Sequence, residues 1–286
     1  MNIKKTLAIL LVLIISISTC ACTNNSIKGG AIEFTNLANG ADSDYLLELL
    51  VKNDVDTDNA QKVIDSVNYY SETIGKDLLY SDGTIDLSSP IPKYDDIKID
   101  EMWAKKNDMF IGYNCRLTAF ELMKDFITVE DTSKSNPSAL FMDEDALNYS
   151  KDNYFTDEEL AEFEAMYSTI TTTSSTDTNE QYEVQKAYWD SIGVKFNTSK
   201  NISLISVYIH NHFSEDENEL IIGHTGVLME NKDKYIFFEK LSFQLPYQMI
   251  TFNSKQELKE YLMASYDTDT TGESAKPFIL ENDKLL

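Results

Sequence analysis

Cys115 is the residue of this chain best placed to act as a nucleophile. It stands inside Phe110 to Ile127, FIGYNCRLTAFELMKDFI, where a short apolar run turns at Gly112-Tyr113-Asn114 and becomes a helix pattern. From Cys115, the residues Ala119, Leu122 and Phe126 fall at helical spacing, with Leu117, Phe120 and Met123 beside them. Only Glu121, Lys124 and Asp125 mark a wet face, which predicts a mostly buried central helix. A thiol in the first turn of such a helix meets unpaired backbone N–H groups and the positive end of the helix dipole. That setting lowers a cysteine pKa and makes the thiolate available. The other reading of Cys115 is a small, inert apolar filler.

A thiolate nucleophile needs a base, and the three histidines all lie late in the chain: His210, His212 and His224. His224 begins a predicted strand, GHTGVL. The turn Asn231-Lys232-Asp233 sends the chain back through Lys234 to Phe243, so a hairpin centred on that turn brings Glu239 level with His224. The plainer reading makes His224 an edge-strand histidine with one hydrogen bond and Glu239 a solvated strand residue. His210 and His212 point to one sheet face, but no third ligand stands close, although Glu215, Asp216 and Glu217 follow. The chain has no phosphate-binding glycine loop and no complete metal motif, so neither a metal nor a cofactor is predicted.

Composition narrows the setting. With 48 Asp and Glu against 24 Lys and Arg over 286 residues, the net charge is −24, which argues against nucleic acid and against docking on anionic lipid through charge. Hydrophobic residues make up 42 %, enough for a packed core. The N-terminus predicts another route to a surface. Lys4 and Lys5 precede an apolar stretch, Thr6 to Ile17, too short to span a bilayer comfortably. Small residues lead to Cys20 and Cys22. With Ala21 before it, Cys22 is the expected lipid acceptor after cleavage of residues 1–21. The partner is then the cell membrane, reached through that anchor on its extracytoplasmic face. An ordinary secretory signal is the alternative. Cleavage before Cys22, with lipid on Cys22, leaves Cys115 the one free thiol and forbids an internal disulfide.

The elements follow from period and punctuation. Residues 22–31 read as a flexible tether and 32–266 as a single α+β domain. Helices are predicted over 44–52 with Ser43 as cap, from Asp56 or Asp58 to about Thr73, over 99–106, from Thr156 to about Tyr167, and over 180–192. Thr169 to Asn179, TITTTSSTDTN, reads as a mobile loop or a linker. From Ile202 the period changes to that of strands, closing with a helix near Leu258 to Ala264. Residues 267–286 read as a polar tail. The order is helices first and then an antiparallel sheet, the α+β pattern.

FIGYNCRLTAFELMKDFI, with IDEMWAKKNDM before it, resembles the signature of a bacterial lipoprotein family known as domain of unknown function 4300, over about Ile32 to Leu262. That family name implies no activity. The order of groups is similar to that of the papain-like cysteine hydrolases, including bacterial cell-wall endopeptidases. These have a Cys at the start of a buried helix, a His on a later strand, and a polar residue on the next strand that orients the imidazole. The resemblance implies Cys115 as nucleophile, His224 as base and Glu239 as orienting group, with Gln248 the alternative third member. It implies an oxyanion site at the Cys115 backbone N–H, aided by Asn114 or Tyr113. Glu in the third position is less usual there than Asn, Asp or His. The expected activity is hydrolysis of an amide in cell-wall peptide or protein. The rival expectation is a non-enzymatic surface lipoprotein that serves as a binding or interaction module.

Overall fold

The change of period at Ile202 is where the chain passes from helices to long strands, and the sheet those strands build carries all three histidines. The computed structural model describes residues 32–197 and 201–286. The predicted signal peptide, the acceptor Cys22 and the tether fall outside the described residues.

The chain opens with strand β1 (Ile32–Thr35), then helices α1 (Gly40–Lys52) and α2 (Thr57–Ile74). Strand β2 (Gly83–Ile85), helix α3 (Asp96–Asn107) and the central helix α4 (Cys115–Met123) come next. Strand β3 (Ile127–Thr128) leads to helices α5 (Phe141–Tyr149) and α6 (Asp157–Met166), the short β4 (Ile170–Thr171) and helix α7 (Thr178–Ile192). After β5 (Lys195–Phe196) come the long strands β6 (Ile202–Ser214), β7 (Glu217–Asn231), β8 (Lys234–Lys240) and β9 (Tyr247–Phe252). Helix α8 (Lys255–Tyr266) and strands β10 (Phe278–Glu281) and β11 (Lys284–Leu285) end it. Among the described residues the fold is a mixed α+β arrangement of eight α-helices with a mostly antiparallel sheet.

The main sheet runs β11-β10-β6-β7-β8-β9-β1-β2, with β4 added against β7. One face packs the larger core, where Leu117, Phe120, Phe163 and Trp189 meet Leu204, Val227 and Phe238. The other face packs α8 through Leu258, Tyr261 and Leu262 against Val207, Leu228, Phe237 and Ile250. Alternation along each strand divides side chains between these faces. In β7 the alternation is interrupted once. His224 pairs with Val207, but the next pair is Ile222 with Tyr208, so Gly223 is an extra residue in the ladder. Before it Leu220 and Ile222 face the larger core; after it Val227 and Met229 do.

Several expectations are corrected. The sheet is not confined to the C-terminal half, because β1 pairs with β9 and β2 with β1. The tail predicted from 267 re-enters the fold: β10 pairs with β6, and Ile279 and Leu280 are buried. The polar run 267–273 masked the short apolar FIL that follows it. The compact unit therefore extends to Leu286. The segment 169–179 is pinned rather than loose. Ile170 and Thr171 pair with β7, and the buried Gln181 donates to the carbonyls of Thr173 and Ser175. Helix α1 begins earlier than predicted, with Asn39 accepting from the Asp42 N–H, and Ser43 is buried inside the helix.

Candidate functional site

Helix α4 begins where it does because Asn114 caps it: Oδ1 accepts from the Leu117 N–H at 3.0 Å. Asn114 Nδ2 donates to Asp143 Oδ1 at 2.8 Å, and Arg116 donates to both oxygens of the same buried carboxylate. Arg116 also donates to the Ile222 carbonyl, two residues before His224. One guanidinium thus ties the start of the thiol's helix to the irregular part of β7. Upstream, Gly112 has φ +92, and the Phe243 carbonyl oxygen lies 3.0 Å from where a Cβ would stand. The turn from Leu241 to Pro246 is therefore packed down on the loop that delivers Cys115.

His224, Glu239 and Gln248 share the α8 face of the sheet. Glu239 pairs with Gly226 on one side and with Gln248 on the other. His224 is diagonal to Glu239 rather than opposite it, two residues beyond the last rung of the β7–β8 ladder. His224 Nε2 and Glu239 Oε2 are 2.5 Å apart. The other carboxylate oxygen accepts from Gln248 Nε2 at 2.6 Å and from the Tyr261 hydroxyl at 2.6 Å. With Nε2 committed to Glu239, Nδ1 is left for the sulfur. Cys115, at the start of α4, interacts electrostatically with the imidazole, and each of the two moves the other's pKa. The Tyr266 ring stacks on the imidazole at 4.7 Å.

The electrostatics follow from this arrangement. Burial works to raise the Cys115 pKa, but the charge of His224 and the Arg116 guanidinium outweigh it, and the thiol titrates below its ordinary value. Burial works to lower the His224 pKa, but the Cys115 thiolate and the Glu239 carboxylate raise it to about 10. The pair is thus arranged to exist as thiolate and imidazolium. Burial and the Glu239 charge push the Tyr261 hydroxyl well above its ordinary pKa, which keeps it a donor.

The sequence expectations fall out unevenly. Cys115, His224, Glu239 and Gln248 come together, and the two candidates for a third member occur in series. Asn114 is engaged at the cap and with Asp143, and the Tyr113 hydroxyl meets Ser150 Oγ at 2.5 Å. His210 Nδ1 accepts from the Ala275 N–H, and His212 Nδ1 meets Asn218 Oδ1. No group of three metal-ligating side chains occurs among the described residues. Arg116, Asp143, Tyr261 and Tyr266 were not singled out from the sequence. Arg116 directly follows the cysteine, a local signal in the sequence; the α8 tyrosines carry none.

Cys115 is 6 % exposed and His224 1 %, so the pair is closed off. Beside it lies a cleft of about 970 Å³ whose lining includes Tyr70, Trp103, Tyr113, Lys240 and Tyr247, but not Cys115. No helix among the described residues is long and apolar enough to cross a membrane.

Comparison with known proteins adds a family. The family described as Domain of unknown function (DUF4300) matches residues 33–286. The chain belongs to the DUF4300 family. The match takes in the C-terminal strands as well as the FIGYNC stretch, so it reaches beyond Leu262. No curated protein and no solved structure matches the chain.

Proposed function

We propose that this DUF4300 chain is a papain-like thiol hydrolase of amide bonds in cell-wall peptide or protein, with Cys115 as nucleophile, His224 as proton carrier and Glu239 as orienting group. The observation that carries the reading is the buried series in which His224, coupled electrostatically to Cys115, meets Glu239, itself held by Gln248 and Tyr261. A structural cysteine needs no imidazole, and a structural histidine needs no buried carboxylate held by two further donors. In the reaction the Cys115 thiolate attacks the amide carbonyl carbon. The developing oxyanion is met by the Cys115 backbone N–H at the helix start. The His224 imidazolium protonates the departing amine, leaving a thioester on Cys115. Water, deprotonated by the now neutral His224, attacks the thioester; the thiolate leaves as the carboxylic acid forms and the imidazolium is restored. Glu239 holds the ring and balances its charge throughout.

The proposal places the enzyme at the extracytoplasmic face of the cell membrane, held by a lipid on Cys22. Its support is the sequence: Lys4 and Lys5, the short apolar stretch, and Ala21 before Cys22.

One observation favours a second reading. Both reacting side chains are covered, and the cleft is lined without Cys115. A binding module that keeps the pair as a packed ion pair fits that burial. Iodoacetamide alkylation of Cys115 against pH separates the two. The hydrolase reading expects labelling of the folded chain well below pH 8 that slows at least tenfold in His224→Ala. A thiol that labels only on unfolding would leave the binding module.

A further inference from the structure

Lys240 is a buried side chain that the proposed chemistry does not use. It ends β8, next to Glu239 but on the opposite face of the sheet, and is 1 % exposed. Its Nζ donates to the carbonyls of Ser242 at 2.8 Å, Phe243 at 3.2 Å and Leu245. Three acceptors match the three N–H groups of an ammonium, but burial with no anion beside it pushes the Lys240 pKa well below its ordinary value, so a carboxylate arriving at Nζ would hold the proton there. The Tyr70 ring lies 4.2 Å from Nζ and the Tyr247 ring 4.9 Å, the arrangement of a cation against aromatic faces. Among the described residues no carboxylate lies within salt-bridge distance of Nζ.

A buried cation is ordinarily paired with an anion, because carbonyl dipoles alone recover only part of its lost hydration. Here Lys240 lines a cleft of about 970 Å³, the upper end of the size range of small-molecule pockets. The walls are largely aromatic, with Tyr70, Trp103, Tyr113 and Tyr247. The acids Asp58, Asp65 and Asp152 stand at the rim together with Lys62 and Lys151. A basic floor, aromatic walls and a rim of mixed charge suit a peptide that enters with one carboxylate inward.

We propose that this cleft is a peptide-binding site and that Lys240 is the residue that takes the peptide's carboxylate. The carboxylate accepts an N–H that Lys240 now gives to the 241–246 turn, exchanging a contact with a carbonyl for a charge-assisted one. That exchange loosens the turn packed over Gly112, which brings the bound peptide and Cys115 into one space. Naming this peptide as the substrate rests on the hydrolase reading; the binding does not.

The test titrates the full chain with N-acetyl-trialanine bearing a free carboxylate, and with the corresponding C-terminal amide. Trp103, in the cleft wall and one of two tryptophans, gives the fluorescence readout. The acid is expected to bind about tenfold or more tightly than the amide, the worth of one hydrogen bond between charged groups. Cys115→Ala keeps that preference and Lys240→Met abolishes it. Equal affinities of acid and amide, absence of binding by either, or inorganic phosphate competing as well as the acid overturns the proposal. The acid–amide comparison on the unaltered chain stands even where Lys240→Met fails to fold. Preferential binding of the acid with no cleavage of longer peptides leaves this site in place and removes the hydrolase reading.

Discussion

Glu239 meets His224 diagonally across β7 and β8, not as its direct ladder partner, and the residue directly opposite Glu239 on β7 is Gly226. The missing side chain matters: a Cβ on Gly226 would stand 2.7 Å from the Phe238 carbonyl oxygen and closer still to the Phe237 ring. With that place empty, the carboxylate leans along the strand to the imidazole. Gly226→Ala is expected to destabilise the chain by about 1–3 kcal/mol through overpacking. It should also slow Cys115 alkylation. Urea unfolding and the alkylation rate, measured on one sample, check both effects.

Replacing the carboxylate isolates its charge. Glu239→Gln keeps the shape but removes the anion that holds His224 protonated. Alkylation of Cys115 at neutral pH should slow by about 10²–10⁴, the range associated with a positioned acid–base group. His224→Ala should cost more in stability, about 3–5 kcal/mol, because it strands a buried carboxylate. A Glu239→Gln chain that alkylates at the unaltered rate would remove Glu239 from the site.

The stability of the folded chain should depend on pH in a way that carries both partners. His224 is raised to about 10 when folded, against about 6.5 unfolded. Its contribution is full below about 6.5 and is lost as pH rises toward 10. Cys115 is lowered when folded, so its contribution runs the other way, being present above the unfolded value of about 8.5 and lost as pH falls through the folded value. The two offset each other between about 6.5 and 8.5, and below about 6.5 stability falls with pH as the Cys115 contribution is lost. Above it the unfolded chain has released both protons while the folded chain keeps one, and stability should fall toward pH 10. In Cys115→Ser, where no thiolate supports the imidazolium, that fall should begin at lower pH. Denaturant midpoints at half-unit pH steps provide the measurement.

Tyr261 donates to Glu239 from α8 and has no exposed surface. Tyr261→Phe should cost about 1.5–3 kcal/mol, the worth of a hydrogen bond to a charged group. It should leave Cys115 reactive, since Gln248 still holds the same oxygen. A larger loss of reactivity than of stability would mean that the hydroxyl, not the amide, orients Glu239.

Truncation after Ser274 tests the C-terminal strands. It removes the buried Phe278, Ile279 and Leu280 and uncovers the edge of β6. The shortened chain is expected to lose cooperative unfolding and to aggregate. Cooperative unfolding within about 1 kcal/mol of the full chain would make 267–286 the tail its composition suggests.

Helices were the most legible part of the sequence, because caps such as Asp56, Thr156 and Ser254 act within a few residues of what they cap. The helix start at Cys115 was legible for the same reason. The hairpin turn was readable, but the level pairing expected from it is two residues out: Glu239 lies opposite Gly226 and reaches His224 only diagonally. What escaped was non-local. Nothing near Tyr261 or Tyr266 in sequence says that α8 lies over the far face of the sheet. Nothing near Ile32 says that it joins β9 more than two hundred residues later. The segment 169–179 was misleading because its order comes from Gln181 and β7, not from its own composition.

The extra residue in β7 has a consequence for what kinds of genetic change the site can absorb. On either side of Gly223 the strand is written in two reading frames: even-numbered residues face the larger core before it, odd-numbered ones after it. His224 is the first position of the second frame. A substitution anywhere in β7 leaves that phase intact, however bulky the new side chain. Deleting Gly223 would join the frames without turning either over, because Ile222 and His224 already pair with the consecutive residues Tyr208 and Val207, whereas a one-residue deletion between His224 and the hairpin turn carries the strand on one side of it to the wrong face. The imidazole's place against Glu239 is thus held by a count of residues, and a change in strand length between His224 and the hairpin turn is the mutation it does not survive.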